Sequence, residues 1–309
     1  MVGSINSDLS VRVPRLPDPG TTVLGARLAE GDGGKGANQA VAVARLGGHV
    51  RLIARVGDDE RGRRLLAGLK RDGVETDSVL VDDTEPTGAA LILVDTHGEN
   101  IIAVAPGANA RVSAEQVVIG IDNANAPVLL AQLEVPLDIV VVAAKAARER
   151  GMKVVLNAAP ATVLPPDVKE FVDVLVVNRA EAVAALSMQL PDKAAVLASA
   201  ATATERGFDV VITLGPEGVV AASAGHVRHR PADVVEAVDT VGAGDTFAGA
   251  LALLLAEGRD LFDAVDVAAS AGALAVCRRG ARTGMPDRAA LTRFREARSG
   301  TGVGVGNAG

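Results

Sequence analysis

The sequence predicts an α/β fold, with a mostly parallel central sheet between helices and a second, smaller β-sheet beside it. Three observations lead there. From residue 128 onward, short apolar runs alternate with helical patterns, as in strand–helix–strand crossovers. Four strand-like segments, 9–13, 22–29, 88–95 and 100–104, form two pairs with no helix inside either pair. The chain's 309 residues, 49% of them hydrophobic, suffice for one large domain with such an appendage.

In chain order, residues 9–13 and 22–29 read as one strand pair joined by the turn-prone Pro14-Arg15-Leu16-Pro17-Asp18-Pro19-Gly20. Asp32-Gly33-Gly34-Lys35-Gly36-Ala37-Asn38-Gln39 follows, ahead of a helix over 40–46, and its Gly33-Gly34 pair is suited to a hinge. Residues 88–95 and 100–104 make the second pair across the hairpin signal Thr96-His97-Gly98-Glu99. The alternation then runs strand 128–132, helix 137–150, strands 153–157 and 172–177, a helix from 180, and a strand at 210–214. Two long helical patterns, 243–257 and 261–278, close the fold, and the Gly-rich 299–309 reads as a flexible tail. The division is a main α/β domain of 1–8, 32–84 and 106–298, with a small projecting sheet of 9–31 and 85–105.

Composition excludes several functions. A net charge of −7 without a basic stripe argues against nucleic acid as partner. Cys277 is the only cysteine, so there is no intrachain disulfide, and zinc spacings are absent. His226 and His229, three apart in a strand-like stretch, suit a surface better than a metal site. Met1 leads into no charged or apolar leader, and the longest dense apolar run, 248–256, is far short of the roughly 20 residues that span a bilayer. A cytoplasmic enzyme without a membrane partner is the expectation. The first strand begins almost at Met1, so it is short or starts upstream. Five Phe and no Trp or Tyr leave little for stacking on a sugar, so hydroxyl recognition falls to Asn, Asp, Lys and backbone groups.

The strongest chemical signal is Asp239-Thr240-Val241-Gly242-Ala243-Gly244-Asp245-Thr246-Phe247, opening an apolar helix. Gly242, Ala243 and Gly244 let a ligand approach the backbone, and the unpaired first-turn N–H groups with the helix dipole make an anion site. The same dipole favours an ionised Asp245, which can accept a proton from a hydroxyl held against it. Read alone, the segment is also an ordinary helix start with an acidic first turn. The second signal, 32–39, is not a Walker A loop. It does match G-x-G-x-x-G through Gly31, Gly33 and Gly36, with Asp58 about 20 residues on, which keeps an NAD-linked oxidoreductase open. Asn6 and Asp8, after the first short strand, can chelate sugar hydroxyls or form a turn. Glu134, Asn178 with Glu181, and Thr213-Leu214-Gly215-Pro216-Glu217-Gly218 all follow predicted strands, on the carboxyl edge where open α/β sheets bind ligands. Asn178 and Glu181 fit either water-mediated Mg²⁺ binding or a helix capping box.

Taken together, these blocks resemble the ribokinase (PfkB-type carbohydrate kinase) family, from Val2 to about Arg298. The carriers are Gly3-Ser4-Ile5-Asn6-Ser7-Asp8, residues 33–40, Gln132-Leu133-Glu134, Asn178 with Glu181, 213–218 and 239–247. The resemblance implies a Rossmann-like αβα sandwich with a β-sheet lid that pairs with a second lid in a homodimer. It implies ATP-dependent phosphorylation of a small sugar, with ribose ahead of deoxyribose, fructose and adenosine. Asn6, Asp8, Gly34, Lys35, Asn38 and Glu134 would bind the sugar against an apolar wall of Ala90, Ile92 and Ile102. Asn178, Thr213, Gly215 and Gly218 would line the ATP site and Glu181 would organise Mg²⁺ through water. The Gly242, Ala243 and Gly244 backbone would form the anion hole with Asp245 as base. A monovalent cation such as K⁺ would sit by Asp239, Val241, Arg278 and Gly280. Gly284 departs from the serine usual near that cation, and Val177 from the proline usual before Asn178. The small residues Ala269 and Ser270 stand where adenine should pack. The intact Asp245 argues against a non-catalytic sugar sensor.

Overall fold

The computed structural model describes residues 1–165 and 170–300. In chain order the strands are β1 (Asn6–Arg12), β2 (Ala29–Gly33), β3 (Ala54–Gly57), β4 (Val79–Asp82), β5 (Gly88–Val94), β6 (Asn100–Ala105), β7 (Val128–Gln132), β8 (Lys153–Asn157), β9 (Val174–Asn178), β10 (Asp209–Thr213), β11 (Val219–Ser223) and β12 (His226–Arg230). The helices are α1 (Lys35–Arg45), α2 (Glu60–Arg71), α3 (Ala114–Asp122), α4 (Leu137–Glu149), α5 (Arg179–Leu186), α6 (Lys193–Thr204), α7 (Ala243–Ala256), α8 (Leu261–Ala275) and α9 (Arg288–Gly300). The predicted tail is helical at its first two residues, in α9, and its remainder lies outside the described residues.

The main sheet runs β12-β11-β10-β9-β8-β7. Pairs β7–β8, β8–β9 and β9–β10 are parallel, and β11 and β12 add an antiparallel edge. Val2 forms parallel bridges to Ala131 and Ile53, so the chain start lies between β7 and the segment that leads to β3 and its parallel partner β4. Alternate side chains of the central strands go to opposite faces. Leu130, Val155, Val176 and Val211 pack with α1, α7 and α8, whereas Leu129, Val154, Val177 and Val210 pack with α3–α6. With both faces covered, these strands read as unbroken apolar runs, which is why the sequence located them within two residues.

A separate four-stranded sheet, β2-β1-β5-β6, stands where the lid was expected. Two details differ from expectation. Residues 22–28 form no strand: Gly25 is wedged against Val11, and only the Ala26 N–H to Arg12 carbonyl bond (2.7 Å) ties them to β1. The partner of β1 is instead the Gly-rich, polar 29–33, paired antiparallel from Ser10–Ala29 to Asn6–Gly33. Backbone bonds hold that register, so no apolar pattern betrays it. Second, β1 begins at Asn6, placing Asn6 and Asp8 on a strand of the small sheet rather than in a turn after the first strand.

That arrangement also removes the dinucleotide reading. Gly31 and Gly33 lie on a strand of the small sheet, and β2 has no pairing with the main parallel sheet whose carboxyl edge would present a pyrophosphate turn. Among the described residues no helix is long and apolar enough to cross a membrane. His226 and His229 lie on β12, where His229 Nε2 bonds the Glu217 carbonyl at 2.8 Å.

Candidate active site

Helix α7 begins behind a left-handed turn. Gly242 has φ 79°, and a Cβ there would lie 2.7 Å from Ala281 Cα, so only glycine fits. Thr246 clasps the turn by donating through Oγ1 to the Gly242 carbonyl at 2.8 Å. The Ala243 N–H leans to the Thr240 carbonyl at 3.3 Å, while Gly244 opens onto free space. Asp245, buried in the first turn, accepts from Asn38 Nδ2 and Gln39 Nε2, each at 3.0 Å. Burial pushes its carboxyl above the ordinary aspartate range, opposed by the Lys35 ammonium and the two amides. The helix dipole expected to hold it down thus meets a larger opposing effect.

The residues predicted for the sugar converge on the start of α1. Gly34, φ 88°, lets the chain pass against Ser4, Ile5 and Asn6, where a Cβ would sit 2.8 Å from the Ser4 carbonyl. Glu134 Oε2 accepts from the Lys35 N–H (2.9 Å), from Ser4 Oγ and, at 3.5 Å, from Asn6 Nδ2. Asp8 shares its lid face with Ala90 and Ile92 by strand register, and Ile92 pairs with Ile102 across β5–β6. Burial, then the Glu134 carboxylate, raise Asp8 to about 6. Lys35 lines a polar cleft with Asn178, Glu181, Gly242, Gly244 and Asp245, and so reaches toward the anion site as well. Burial lowers its ammonium, but Asp245, Glu134 and Glu181 outweigh this and hold its pKa above the ordinary value.

On the far side of α7 lies a cleft of about 650 Å³ whose walls include Thr213, Gly215, Gly218, Ala243, Gly244 and Ala269. Its size and apolar character suit a nucleotide base and sugar. Ser270, also expected there, is turned away: its buried Oγ accepts from Arg230 (3.1 Å) and Arg295 (3.3 Å). Asn178 and Glu181 form the capping box of α5, each side chain accepting the other's N–H at 2.8 Å. One carboxylate oxygen of Glu181 is occupied by that bond.

The pattern of the pfkB family carbohydrate kinases matches residues 1–288. Ribokinase of Haemophilus influenzae is 36% identical over 299 residues, covering 96% of this chain and 97% of that protein. Ribokinase of Schizosaccharomyces pombe is 38% identical over 302 residues, covering 93% and 94%. Among solved structures, Arabidopsis thaliana ribokinase complexed with ribose and ATP matches with TM-score 0.86 at 30% identity, over 95% of this chain and 96% of that one. The chain belongs to the pfkB family of carbohydrate kinases. It is a phosphotransferase, with the ribokinase fold.

In this kinase the region predicted for a monovalent cation is built around Asp239. Its carboxylate accepts from the Val241 N–H (3.0 Å) and the Gly280 N–H (2.8 Å). The carbonyls of Ala275, Gly280 and Arg278 converge on Gly284, where a Cβ would lie 2.6, 3.0 and 3.3 Å from them. Converging carbonyl oxygens are the donor set a large monovalent cation takes.

Sequence reading missed two residues of this kinase's site. Gln39, fully buried, donates to Asp245 and to Asn157 Oδ1 (2.9 Å) and accepts from Gln132 Nε2. Arg282 reaches Asn38 from the loop after α8. Gln39 had a signal, as a polar residue on the apolar face of α1; Arg282 had none, being 244 positions from its partner Asn38.

Proposed function

We propose that this kinase transfers the γ-phosphate of ATP to the primary hydroxyl of D-ribose, giving D-ribose 5-phosphate, with Asp245 as general base. One observation carries the reading. Asp245, in the first turn of α7, is hydrogen-bonded to Asn38 and lines the polar cleft with Lys35, and that cleft shares Thr213, Gly244 and Phe247 with the larger apolar one. The full-length likeness to ribokinases, one of them complexed with ribose and ATP, supports ribose as the acceptor. Deoxyribose, fructose and adenosine are the alternatives.

Asn6, Asp8, Asn38 and Glu134 orient the sugar, and the lid face of Ala90, Ile92 and Ile102 excludes water above it. Asp245 accepts the hydroxyl proton as attack begins. The Gly242–Gly244 backbone and Lys35 stabilise charge on the transferring group. Asn178, Thr213, Gly215 and Gly218 hold the nucleotide. The cleft of about 150 Å³ beside Glu181 has room and polar partners for a hydrated divalent ion. Glu181 and Asn178 would hold Mg²⁺ through water, and the ion would neutralise phosphate charge. The carbonyls around Gly284 and the Asp239 loop support K⁺ as the monovalent cation. The outer lid face, with Leu91 54% and Ile101 49% exposed, fits a homodimer of lids. Residues 9–31 and 85–105 act as the lid on the rest of a cytoplasmic enzyme.

The test is ADP release with Mg²⁺-ATP across D-ribose, 2-deoxyribose, fructose and adenosine, each with and without K⁺. Ribose-dependent release is expected, with modest K⁺ stimulation. Turnover of another acceptor alone would move the substrate, and no turnover by folded protein would count against the kinase reading itself.

Asp8 adds a pH dependence. Its ionised form accepts hydroxyl hydrogen bonds, and its pKa is raised to about 6. Sugar KM is therefore expected to be flat above that pH and to climb below it, by up to about tenfold per pH unit. Asp8→Asn should raise KM at neutral pH and flatten the profile. A wild-type KM unchanged down to about pH 5 would remove Asp8 from the sugar site.

A further inference from the structure

Arg282 follows the loop that carries Gly280 and Ala281, yet its side chain ends among the sugar-binding residues. It is buried, and its guanidinium meets two other elements. Nε donates to Asn38 Oδ1 on α1 at 3.1 Å, and Nη2 to the Gly33 carbonyl at the end of β2, also at 3.1 Å. Nη1 faces Asp32, on β2, at 3.4 Å. Burial pulls its pKa down; Asp32, Asp72 and Asp8 oppose this and Arg45 adds to it, and a guanidinium keeps its charge in any case. The loop is itself anchored, since Arg45 Nη1 donates to the Arg282 carbonyl, and Ala281 backs the Gly242 turn.

An Asn side chain is nearly symmetric in shape, so packing alone does not decide which end faces Asp245. Arg282 has donors only. Asn38 must therefore offer it oxygen, which leaves Nδ2 for Asp245 at 3.0 Å. A reversed amide would set oxygen against carboxylate and NH₂ against guanidinium, unfavourable at both ends. The bonds to Gly33 and Asp32 also hold the returning lid strand beside the start of α1. We propose that Arg282 is a positioning residue of the sugar site: it fixes the direction of the Asn38 amide toward Asp245 and joins that amide to the hinge end of β2. This rests on the sugar site assigned above.

The test is steady-state kinetics of Arg282→Met and Arg282→Lys, in wild-type and Asn38→Ala backgrounds, varying sugar and MgATP separately. The acceptor is whichever sugar the wild-type enzyme phosphorylates best, so a wrong choice of ribose alters that reading and not this one. Arg282→Met is expected to raise sugar KM by about tenfold to a hundredfold, the range for a lost charge-assisted hydrogen bond, with MgATP KM within about twofold. Arg282→Lys keeps the charge but not the planar fork and should recover only part of the loss. In the Asn38→Ala background, Arg282→Met should raise sugar KM several-fold less than in the wild-type background, what remains being the loss of its bonds to Gly33 and Asp32. A purely structural role would reduce the active fraction, lowering Vmax with both KM values in place. That result, or equal effects of Arg282→Met in the two backgrounds, overturns the proposal. If Arg282→Met does not fold, Arg282→Lys decides by the same selective rise in sugar KM.

Discussion

Asp245→Asn is expected to lower kcat by about 10²–10⁴-fold, the contribution of a positioned general base, while sugar affinity changes little. The substitution conserves shape, so the pocket between Asn38 and Gln39 is kept. What it removes is basicity at the atom facing the hydroxyl. Burial favours the mechanism, because it raises the carboxyl toward the range in which a base works at neutral pH. The new amide carries its own cost: Asn38 and Gln39 both donate at 3.0 Å, and one of them would meet NH₂ in place of oxygen. A modest fall in melting temperature is therefore expected alongside the kinetic loss. Calorimetric titration of the variant with sugar, beside a turnover assay, separates the two effects. Turnover within tenfold of wild type would remove Asp245 from the role of base.

Gly242→Ala is expected to lower kcat by about 10²–10³-fold, as for loss of a backbone donor to developing charge. The reason is geometric. Gly242 has φ 79°, which costs a residue with a Cβ about 1–2 kcal/mol. That Cβ would also meet Ala281 Cα at 2.7 Å and its carbonyl at 2.8 Å, both backbone. No side-chain rotation relieves this, so the first turn of α7 must shift, and the amides with it. Sugar affinity, read by calorimetry, should stay near wild type. Gly244→Ala is the informative comparison, because no atom lies within 4 Å of its Cβ position. It should leave the melting temperature unchanged while hindering MgATP, whose phosphates would occupy that open space. A Gly242→Ala enzyme with wild-type kcat would overturn the assignment of this turn as the anion hole.

Most of the main domain was legible because its strands are buried on both faces, and helices α4, α7 and α8 carry long apolar patterns ended by Gly or polar residues. The α7 start was legible for a different reason. Gly242, Ala243 and Gly244 stand in a row before Asp245, and a helix cap needs none of the three. The lid was read as two strand pairs, but β2 was misplaced, because Ala29-Glu30-Gly31-Asp32-Gly33 has no apolar alternation. Its position depends on the backbone register with β1, which no single segment encodes.

The sequence by itself determined the α/β class and the family, since these rest on local pattern and on motifs confined to a few adjacent residues, among them the turn before α7 that carries Asp245. The tertiary structure alone decided which groups hold that aspartate and how they are oriented. Asn38 and Gln39 come from α1, Gln132 from β7, Asn157 from β8 and Arg282 from the loop after α8. Side chains that distant along the chain meet only once the sheet and its helices are packed. Only burial there makes each hydrogen bond obligatory, because an unpaired polar group away from water costs more than the bond returns in solvent.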